Sequence, residues 1–316
     1  YHKAYRHNLC RGAYKTARRP ILLNSWEGVY LDFNAEKLMN MARKAAQLGI
    51  ELFVLDDGWF GKRSQDISGL GDWYVNENKL GCGLKELSDE IHALGMQFGI
   101  WFEPECVNED SDLYREHPDW ALKVPGKAPT RSRYQLVLDF SREDVREHIF
   151  GKICQVLDSA QIEYLKWDFN RSISDIYSAK LPPKRQGETA HRYILGLYDM
   201  LEKLTERYPN LLLEGCSGGG GRFDAGMLYY TPQIWCSDDT YAIERLSIQY
   251  GTSFGYPIST TGAHVSHCPN EQTGRMVPLE TRAAVAMAGT FGYELDPGKI
   301  TKTDRLAIQK QIKEFQ

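Results

Sequence analysis

Short apolar runs alternate with amphipathic segments along most of the chain, and polar or aromatic residues follow nearly every run. Runs of this length separated by helices predict parallel strands that are covered by helices on both faces of the sheet. Eight runs fit this description: Ile21–Leu23, Leu52–Leu55, Met96–Ile100, Leu136–Leu138, Tyr164–Trp167, Leu211–Leu213, Gln233–Trp235 and Pro257–Ser259.

The intervening segments carry the helical period. We predict helices over 35–48, 84–94, 141–158, 189–208, 242–250 and 279–290, and Ser141 and Asp144 have the spacing of a capping box. Eight strand–helix units favour an α/β fold of the (β/α)8 (TIM) barrel type over an open sheet. We expect residues 1–316 to form a single barrel domain, with an irregular lead-in over 1–20 and an extra helix over 297–316.

Composition narrows the function classes. The 316 residues carry a net charge of −4 and no long basic run, which argues against nucleic acid or an anionic membrane as a partner. No apolar run approaches the roughly 20 residues that a membrane-spanning helix needs. The seven cysteines are odd in number and show no metal-type spacing, so we expect reduced thiols in a cytoplasmic protein.

Candidate chemistry collects at the carboxyl ends of the predicted strands, where such barrels place their active sites. The residues found there are the carboxylates Asp56, Asp57, Glu103, Glu105, Asp168, Glu214, Asp238 and Asp239, the cations Arg133 and Lys166, and the aromatics Trp26, Trp59, Trp101 and Trp235. Carboxylates accept hydrogen bonds from sugar hydroxyls, and indole faces pack against sugar rings. Cleavage of a glycosidic bond requires two carboxyl groups.

The segment Tyr164–Arg171 shows this pattern most strongly. Lys166, Asp168 and Asn170 alternate along it and therefore project to one face. Three polar groups on a buried strand are costly unless they meet a ligand or each other. They can thus mark a catalytic strand end, or Lys166 and Asp168 can form a structural ion pair.

Three other chemistries stay open at this point. Gly218–Gly221 could bind a phosphate, although the lysine and hydroxyl residue of a P-loop are missing. Lys166 could form a Schiff base, although nearby carboxylates favour its charged, non-nucleophilic form. His264 and His267 could bind a metal, although their spacing matches no strong ligand motif.

Several motifs, in order along the chain, resemble the α-galactosidases (melibiases) of glycoside hydrolase family 36. They are Leu-Asp-Asp-Gly-Trp-Phe at 55–60, Arg-Ser-Arg at 131–133, Lys-Trp-Asp-Phe-Asn-Arg at 166–171, Glu-Gly-Cys-Ser-Gly-Gly-Gly-Gly-Arg-Phe-Asp at 214–224, Trp-Cys-Ser-Asp-Asp-Thr at 235–240, Ala-Ile-Glu-Arg-Leu at 242–246 and Thr-Thr-Gly-Ala-His-Val-Ser at 260–266.

The resemblance implies retaining hydrolysis of terminal α-D-galactosides, such as melibiose and raffinose-type oligosaccharides, without a cofactor or metal. It assigns Asp168 as the nucleophile and Asp238 as the acid/base. We expect Lys166 to keep Asp168 anionic, and Asp239 together with the other strand-end carboxylates to raise the pKa of Asp238. The resemblance assigns substrate binding to Trp26, Asp56, Asp57, Trp101, Arg133, Lys166, Asn170, Cys216 and Gly219, with Asp56 and Asp57 on the 4- and 6-hydroxyls.

Two positions depart from the family pattern. Tyr134 and Tyr241 stand where an asparagine and an aspartate are expected. The alternatives to hydrolysis are a transglycosylase of the raffinose- or stachyose-synthase type and a non-hydrolytic galactoside-binding barrel. The resemblance also implies flanking β-domains and a homo-oligomer in the full-length protein.

Overall fold

A computed structural model describes all residues from 1 to 316. Eight parallel strands close into a barrel, and two further strands form an antiparallel hairpin. The barrel strands are β1 (Leu22–Asn24), β2 (Leu52–Leu55), β3 (Gln97–Phe102), β6 (Tyr164–Trp167), β7 (Leu212–Gly215), β8 (Gln233–Trp235), β9 (Thr261–Ser266) and β10 (Thr290–Glu294), and the hairpin strands are β4 (Cys106–Asn108) and β5 (Gln135–Val137). The predicted (β/α)8 fold is confirmed.

Helices cover the outside of the barrel. The α-helices are α1 (His2–Ala4), α2 (Trp26–Val29), α3 (Ala35–Leu48), α4 (Glu77–Leu80), α5 (Leu84–Ala93), α6 (Asp112–Glu116), α7 (Glu143–Ser159), α8 (Thr189–Arg207), α9 (Ala225–Tyr230), α10 (Ala242–Gly255), α11 (Leu279–Ala286) and α12 (Lys302–Phe315). None of them combines the length and the apolar character needed to cross a bilayer.

Helix α3 shows how the sequence sets an element. The Asn34 side chain accepts a hydrogen bond from the backbone N–H of Lys37 (3.0 Å), which caps the first turn. Gly49 ends the helix in the left-handed conformation with φ 95°, which costs glycine little. Between these signals, apolar residues at helical spacing are buried against the barrel.

One predicted strand lies outside the barrel. The run Leu136–Leu138 overlaps β5, which pairs with β4, while β3 pairs directly with β6. The predicted capping box is also wrong, because Ser141 bonds to Asp139 through its Oγ (2.5 Å) and its backbone N–H (3.1 Å). Helix α7 instead begins after Arg142, which makes no side-chain capping bond.

The last strands also differ from the prediction. A 3-10 turn over Ile258–Thr260 replaces the predicted strand Pro257–Ser259, and the strand β9 follows it. Helix α11 ends at Ala286, earlier than predicted. Strand β10 therefore begins at Thr290, the last residue of the predicted helix, and continues beyond it. Helix α12 packs against α3 and α11. It is therefore the last helix of the ring around the barrel and not the extra helix that was predicted.

The barrel interior changes from apolar to polar along the strands. Leu22, Leu52, Val54, Tyr164 and Leu212 form an apolar cluster inside the barrel. The next inward positions, two residues further on, are Asn24, Asp56, Lys166 and Glu214, and all four are buried. The carboxyl half of the barrel is therefore lined by polar groups.

Candidate active site

A cavity of about 340 Å³ opens at the carboxyl ends of the barrel strands. Nine of the predicted site residues line it: Trp26, Asp56, Asp57, Trp101, Arg133, Lys166, Asp168, Asn170 and Asp238. The other nine lining residues are Glu27, Tyr30, Arg63, Glu103, Trp235, Thr240, Glu271, Gln272 and Glu294. Strand-end reasoning thus located the cavity from positions far apart in the sequence.

Asp168 is held by three N–H donors directly after β6. Its Oδ2 accepts hydrogen bonds from Trp101 Nε1 (3.1 Å) and Asn170 Nδ2 (2.8 Å), and its Oδ1 accepts one from the Phe169 backbone (2.8 Å). Hydrogen bonds from N–H groups stabilise a carboxylate in its charged form. The geometry therefore presents an oriented carboxyl group to the cavity.

Lys166 pairs with Asp56 and not with Asp168. Its Nζ lies 3.0 Å from Asp56 Oδ2, which also accepts a hydrogen bond from Asn24 Nδ2 (2.7 Å). Burial opposes the charge, but Asp56 and further acidic groups raise the pKa of Lys166 above its usual value. The alternative of a structural ion pair between Lys166 and Asp168 is thus wrong, because the partner is Asp56, and a protonated amine is unsuited to Schiff-base formation.

Asp57 is bound by Arg63, which the sequence analysis missed. Two guanidinium nitrogens contact its carboxylate, Nε at 3.0 Å from Oδ1 and Nη2 at 2.8 Å from Oδ2. Burial raises the pKa of Asp57, and Arg63 counteracts this shift. Arg63 lies in the loop after β2. The sequence of this loop has no periodic pattern of apolar and polar residues from which Arg63 could have been selected.

Asp238 has a different environment. Its Oδ1 accepts a hydrogen bond from Trp235 Nε1 (3.1 Å), and its backbone oxygen accepts one from Gln272. Burial and the negative charge of Asp168 raise the pKa of Asp238, against the smaller opposing effects of Lys166 and Arg133. The predicted direction is confirmed, as is a contribution from another strand-end carboxylate, Asp168, but burial is the largest cause and Asp239 is not one of the main causes.

Glu103 stands behind Asp168. Its carboxyl oxygens accept hydrogen bonds from the Asn170 backbone (2.5 Å), Asn170 Nδ2 (3.1 Å) and Gln135 Nε2 (3.1 Å). Burial and the nearby charge of Asp168 raise the pKa of Glu103 to about 8. Glu103 and Asp168 therefore share a hydrogen-bond network through Asn170, whose Nδ2 donates to both carboxyl groups.

Several predicted strand-end residues do not reach the cavity. Glu105 is buried and bonded to Arg222, Trp167 and Tyr193. Glu214 lies lower in the barrel and accepts a hydrogen bond from Gln233 (2.6 Å).

Trp59 belongs to the core and donates from Nε1 to the carbonyl oxygen of Trp101 (2.9 Å). These residues have the correct position along the chain but the wrong depth.

Cys216 and Gly219 lie near Asp168 and Asp238 but are not among the lining residues. Burial, followed by the charge of Asp168, raises the pKa of the Cys216 thiol well above its usual value. Gly219, with φ 82°, packs so closely that a Cβ would lie 2.6 Å from the backbone N of Asp238. Its observed contact is therefore to the strand-end turn that carries Asp238.

A strained turn carries Arg133. Arg133 and Tyr134 have φ angles of 51° and 59°, and Ser132 bridges Gln135 across them. Two consecutive positive φ angles are typical of a tight hairpin turn that favours asparagine and glycine. Tyr134 therefore occupies a position at which asparagine would be less strained.

The second departure, Tyr241, faces a different environment. Its ring packs in a small apolar cluster with Ala242, Val277 and Val285. Its backbone N–H donates to Asp239 Oδ1 (2.9 Å), so its link to the acidic turn runs through Asp239.

The alternative chemistries find little support in the geometry. The run Ser217–Gly221 is followed by turns, and α9 begins only after Asp224, so the glycines do not open a helix that could bind phosphate. His264 contacts Glu294 (3.0 Å) inside the barrel. The backbone N–H of His267 donates to Glu27 Oε2 (3.0 Å).

The lining residues that were not predicted from the sequence were missed for different reasons. Glu294 ends β10, which was not recognised, and Glu271 and Gln272 lie in a loop without a pattern. Glu27 and Tyr30 follow Trp26 closely, so their proximity to a predicted site residue was the available signal. Burial raises the pKa of Glu27 to about 8, with a contribution from Glu294.

A (β/α)8 barrel whose strand ends surround a cavity of carboxylates, amides and indoles has the architecture of sugar-processing barrels. The family model described as Melibiase matches residues 1–316, and the chain belongs to this family. The resemblance inferred from the motifs is therefore confirmed.

Individual relatives are similar over the whole chain. The chain is 57% identical over 315 residues to the bifunctional alpha-galactosidase/sucrose kinase AgaSK of Mediterraneibacter gnavus, covering 100% of this chain and 33% of that protein. It is 57% identical over 312 residues to alpha-galactosidase AgaA of Geobacillus stearothermophilus, covering 99% of this chain and 43% of AgaA. The chain thus spans less than half the length of these relatives.

Solved structures agree with these sequence matches. The crystal structure of the GH36 alpha-galactosidase AgaA superposes with a TM-score of 0.98 at 57% identity and covers 100% of this chain and 44% of that chain. A variant of AgaA in complex with raffinose has a TM-score of 0.98 at 56% identity and covers the same shares, 100% and 44%.

Proposed function

We propose that this chain is the catalytic barrel of a retaining α-galactosidase, which releases terminal α-D-galactosyl residues from oligosaccharides of the raffinose type. The observation that carries the proposal is the difference between two carboxyl groups on one cavity. Asp168 is fixed by three N–H donors, whereas burial and Asp168 raise the pKa of Asp238. Membership of the Melibiase family and similarity to a raffinose-bound relative support the substrate class.

In the proposed first step, Asp168 attacks the anomeric carbon and Asp238 protonates the departing glycosidic oxygen. The sugar becomes an ester of Asp168, and the leaving group departs as an alcohol. Asp238, now ionised, then removes a proton from water, which attacks the same carbon and frees Asp168. Two inversions give overall retention, and the proton returns to Asp238.

Two ion pairs and two indoles on the cavity hold the substrate in this proposal. The Asp56–Lys166 pair and the Asp57–Arg63 pair present charged oxygens and nitrogens that are fixed by each other. Hydroxyls that match them form hydrogen bonds, while an epimer leaves a buried charged group without a partner. Trp101 supplies an apolar face, and Trp26 lies at the side of the leaving group.

The first experiment compares p-nitrophenyl α-D-galactoside with the corresponding α-glucoside and β-galactoside. We expect release from the α-galactoside alone. Raffinose and a second sugar acceptor should then distinguish hydrolysis from transfer by the ratio of free galactose to transfer product. A chain that is stabilised by galactose but cleaves none of the three glycosides would be a binding barrel, which contradicts the proposal.

A further inference from the structure

A buried pair of side chains, His264 and Glu294, adjoins the side of the cavity that carries Asp238, and Glu294 also lines the cavity. His264 Nδ1 lies 3.0 Å from Glu294 Oε2, and the two side chains are 2% and 5% exposed. The strands β9 and β10 place them together, with Gly292 opposite His264 in the register. A Cβ on Gly292 would lie 2.8 Å from His264 Cδ2, so glycine leaves the space that the imidazole needs.

The imidazole packs against Trp235. The two ring centroids are 4.4 Å apart with an interplanar angle of 36°. The guanidinium of Arg245 lies 4.2 Å from the Trp235 centroid. A Cβ on Gly262 would lie 3.0 Å from Trp235 Cε3, so the indole is closely confined by its neighbours.

Trp235 in turn provides the one side-chain hydrogen bond to the carboxyl group of Asp238, from Nε1 to Oδ1 (3.1 Å). Because Oδ1 accepts this N–H, the acidic proton is left to Oδ2. The direction of the indole N–H therefore determines which oxygen of Asp238 can donate to a leaving group. A small rotation of the indole would change that direction.

We propose that His264 and Glu294 form a positioning pair, which holds the indole of Trp235 and thereby orients the proton-bearing oxygen of Asp238. The inference rests on the proposed acid role of Asp238. In this account, neither His264 nor Glu294 acts on the reacting atoms. Loss of the pair should therefore impair protonation of the leaving group more than binding of the galactosyl ring.

The test compares kcat/KM for raffinose, whose leaving group needs a proton, with kcat/KM for p-nitrophenyl α-D-galactoside, whose leaving group departs without one. For His264→Ala and Glu294→Ala we expect about a tenfold loss with raffinose and less than about a twofold loss with the aryl substrate. Inhibition of His264→Ala by galactose should be unchanged. Glu294→Gln, which retains a hydrogen-bonding partner for the imidazole, should lose less activity with raffinose than Glu294→Ala does.

His92 and Glu163 supply a matched control, because they form the same kind of contact (Nε2 to Oε1, 3.0 Å) before the amino end of β6. His92→Ala should show no difference between the two substrates. If His264→Ala does not fold, His264→Phe, which keeps a ring against Trp235, should show a smaller loss of the same kind. Equal losses on both substrates, or a Glu294→Gln variant that behaves like Glu294→Ala, would overturn the positioning role.

Asp238→Asn, measured alongside, separates the two proposals. A raffinose-selective loss in Asp238→Asn but not in His264→Ala or Glu294→Ala would reject the positioning pair alone. The absence of any selective loss in Asp238→Asn would reject the acid role itself.

Discussion

The sides of the cavity that follow strands β6 and β8, here called the β6 wall and the β8 wall, provide different environments for their carboxyl groups. On the β6 wall, Trp101, Asn170 and the Phe169 backbone direct three N–H groups at Asp168. On the β8 wall, Trp235 directs one N–H at the carboxyl group of Asp238, while burial raises its pKa. Burial and the charge of Asp168 thus favour the protonated form of Asp238, whereas the three N–H donors fix the orientation of the Asp168 carboxyl group.

Removal of the β6 carboxylate should have the largest effect. We expect Asp168→Ala to lower kcat on the order of 10⁴-fold or more, because no group remains to form the covalent intermediate. With an activated aryl galactoside, added azide should restore turnover and yield the β-galactosyl azide. Rescue that produces the α-azide, or activity that survives the substitution, would argue against Asp168 as the nucleophile.

Removal of the β8 carboxyl should act selectively. Asp238→Asn should lower kcat/KM for raffinose by about 10²- to 10⁴-fold, the range typical of general acid catalysis, and affect the aryl substrate far less. Parallel measurement of both substrates with one enzyme preparation checks this. Equal losses would remove the distinction between the two walls.

The ion pair between Asp57 and Arg63 should contribute to the free energy of unfolding, and its removal tests this. Arg63→Met should lower the free energy of unfolding by about 3–5 kcal/mol, because it leaves Asp57 buried without its partner. The exposed contact of Arg115 with Asp110 is the control, and Arg115→Met should lower the free energy of unfolding far less than Arg63→Met does. Urea unfolding measures both, and similar costs would show that Asp57 does not depend on Arg63.

The β6 wall should also make the stability of the protein depend on pH. Burial and Asp168 raise the pKa of Glu103 from 4.5 to about 8, so between these values the folded protein binds more protons than the unfolded chain. Stability is therefore highest below the unfolded pKa and falls as the pH rises towards 8, by up to about 1.4 kcal/mol per pH unit for such a group. Glu103→Gln should flatten this decline in urea unfolding between pH 5 and 8. An unchanged slope would contradict the proposed environment of Glu103.

The smallest effect concerns the turn that carries Arg133. Tyr134→Asn should stabilise the protein by about 1 kcal/mol, because asparagine tolerates a positive φ better than tyrosine does. Tyr134 is 64% exposed, so little packing is lost. Tyr250→Asn, at a similarly exposed tyrosine within α10, should bring no gain. A lower melting temperature for Tyr134→Asn would show that the tyrosine side chain does not strain the turn.

Alternation along strands allowed much of the site to be predicted. Asp56, Lys166 and Asp168 each follow an inward-facing apolar residue by two or four positions, and the structure places them on the cavity. Glu214 obeys the same alternation, but it bonds to Gln233 deeper in the barrel. Alternation determines the face of a strand to which a side chain belongs, but not its depth.

Other features depend on long-range packing. Strand β10 contains Gly292 because the ring of His264 needs space, and this glycine interrupts the apolar pattern from which strands are predicted. Glu294 was missed with that strand. The partner choice of Lys166 also required the three-dimensional structure, because Lys166 lies on β6 and Asp56 follows β2, two strands that are separated in the sheet by β3.

The central claim is that Asp168 becomes covalently attached to the sugar while Asp238 handles the proton. The most direct test is peptide mass spectrometry after brief reaction of the chain with a slow-turnover fluorinated α-galactoside. The account predicts a single galactosyl ester on the peptide that contains Asp168, with accumulation that does not require Asp238 when the leaving group is activated. A label on any other residue, or turnover that produces free β-galactose first, would contradict it.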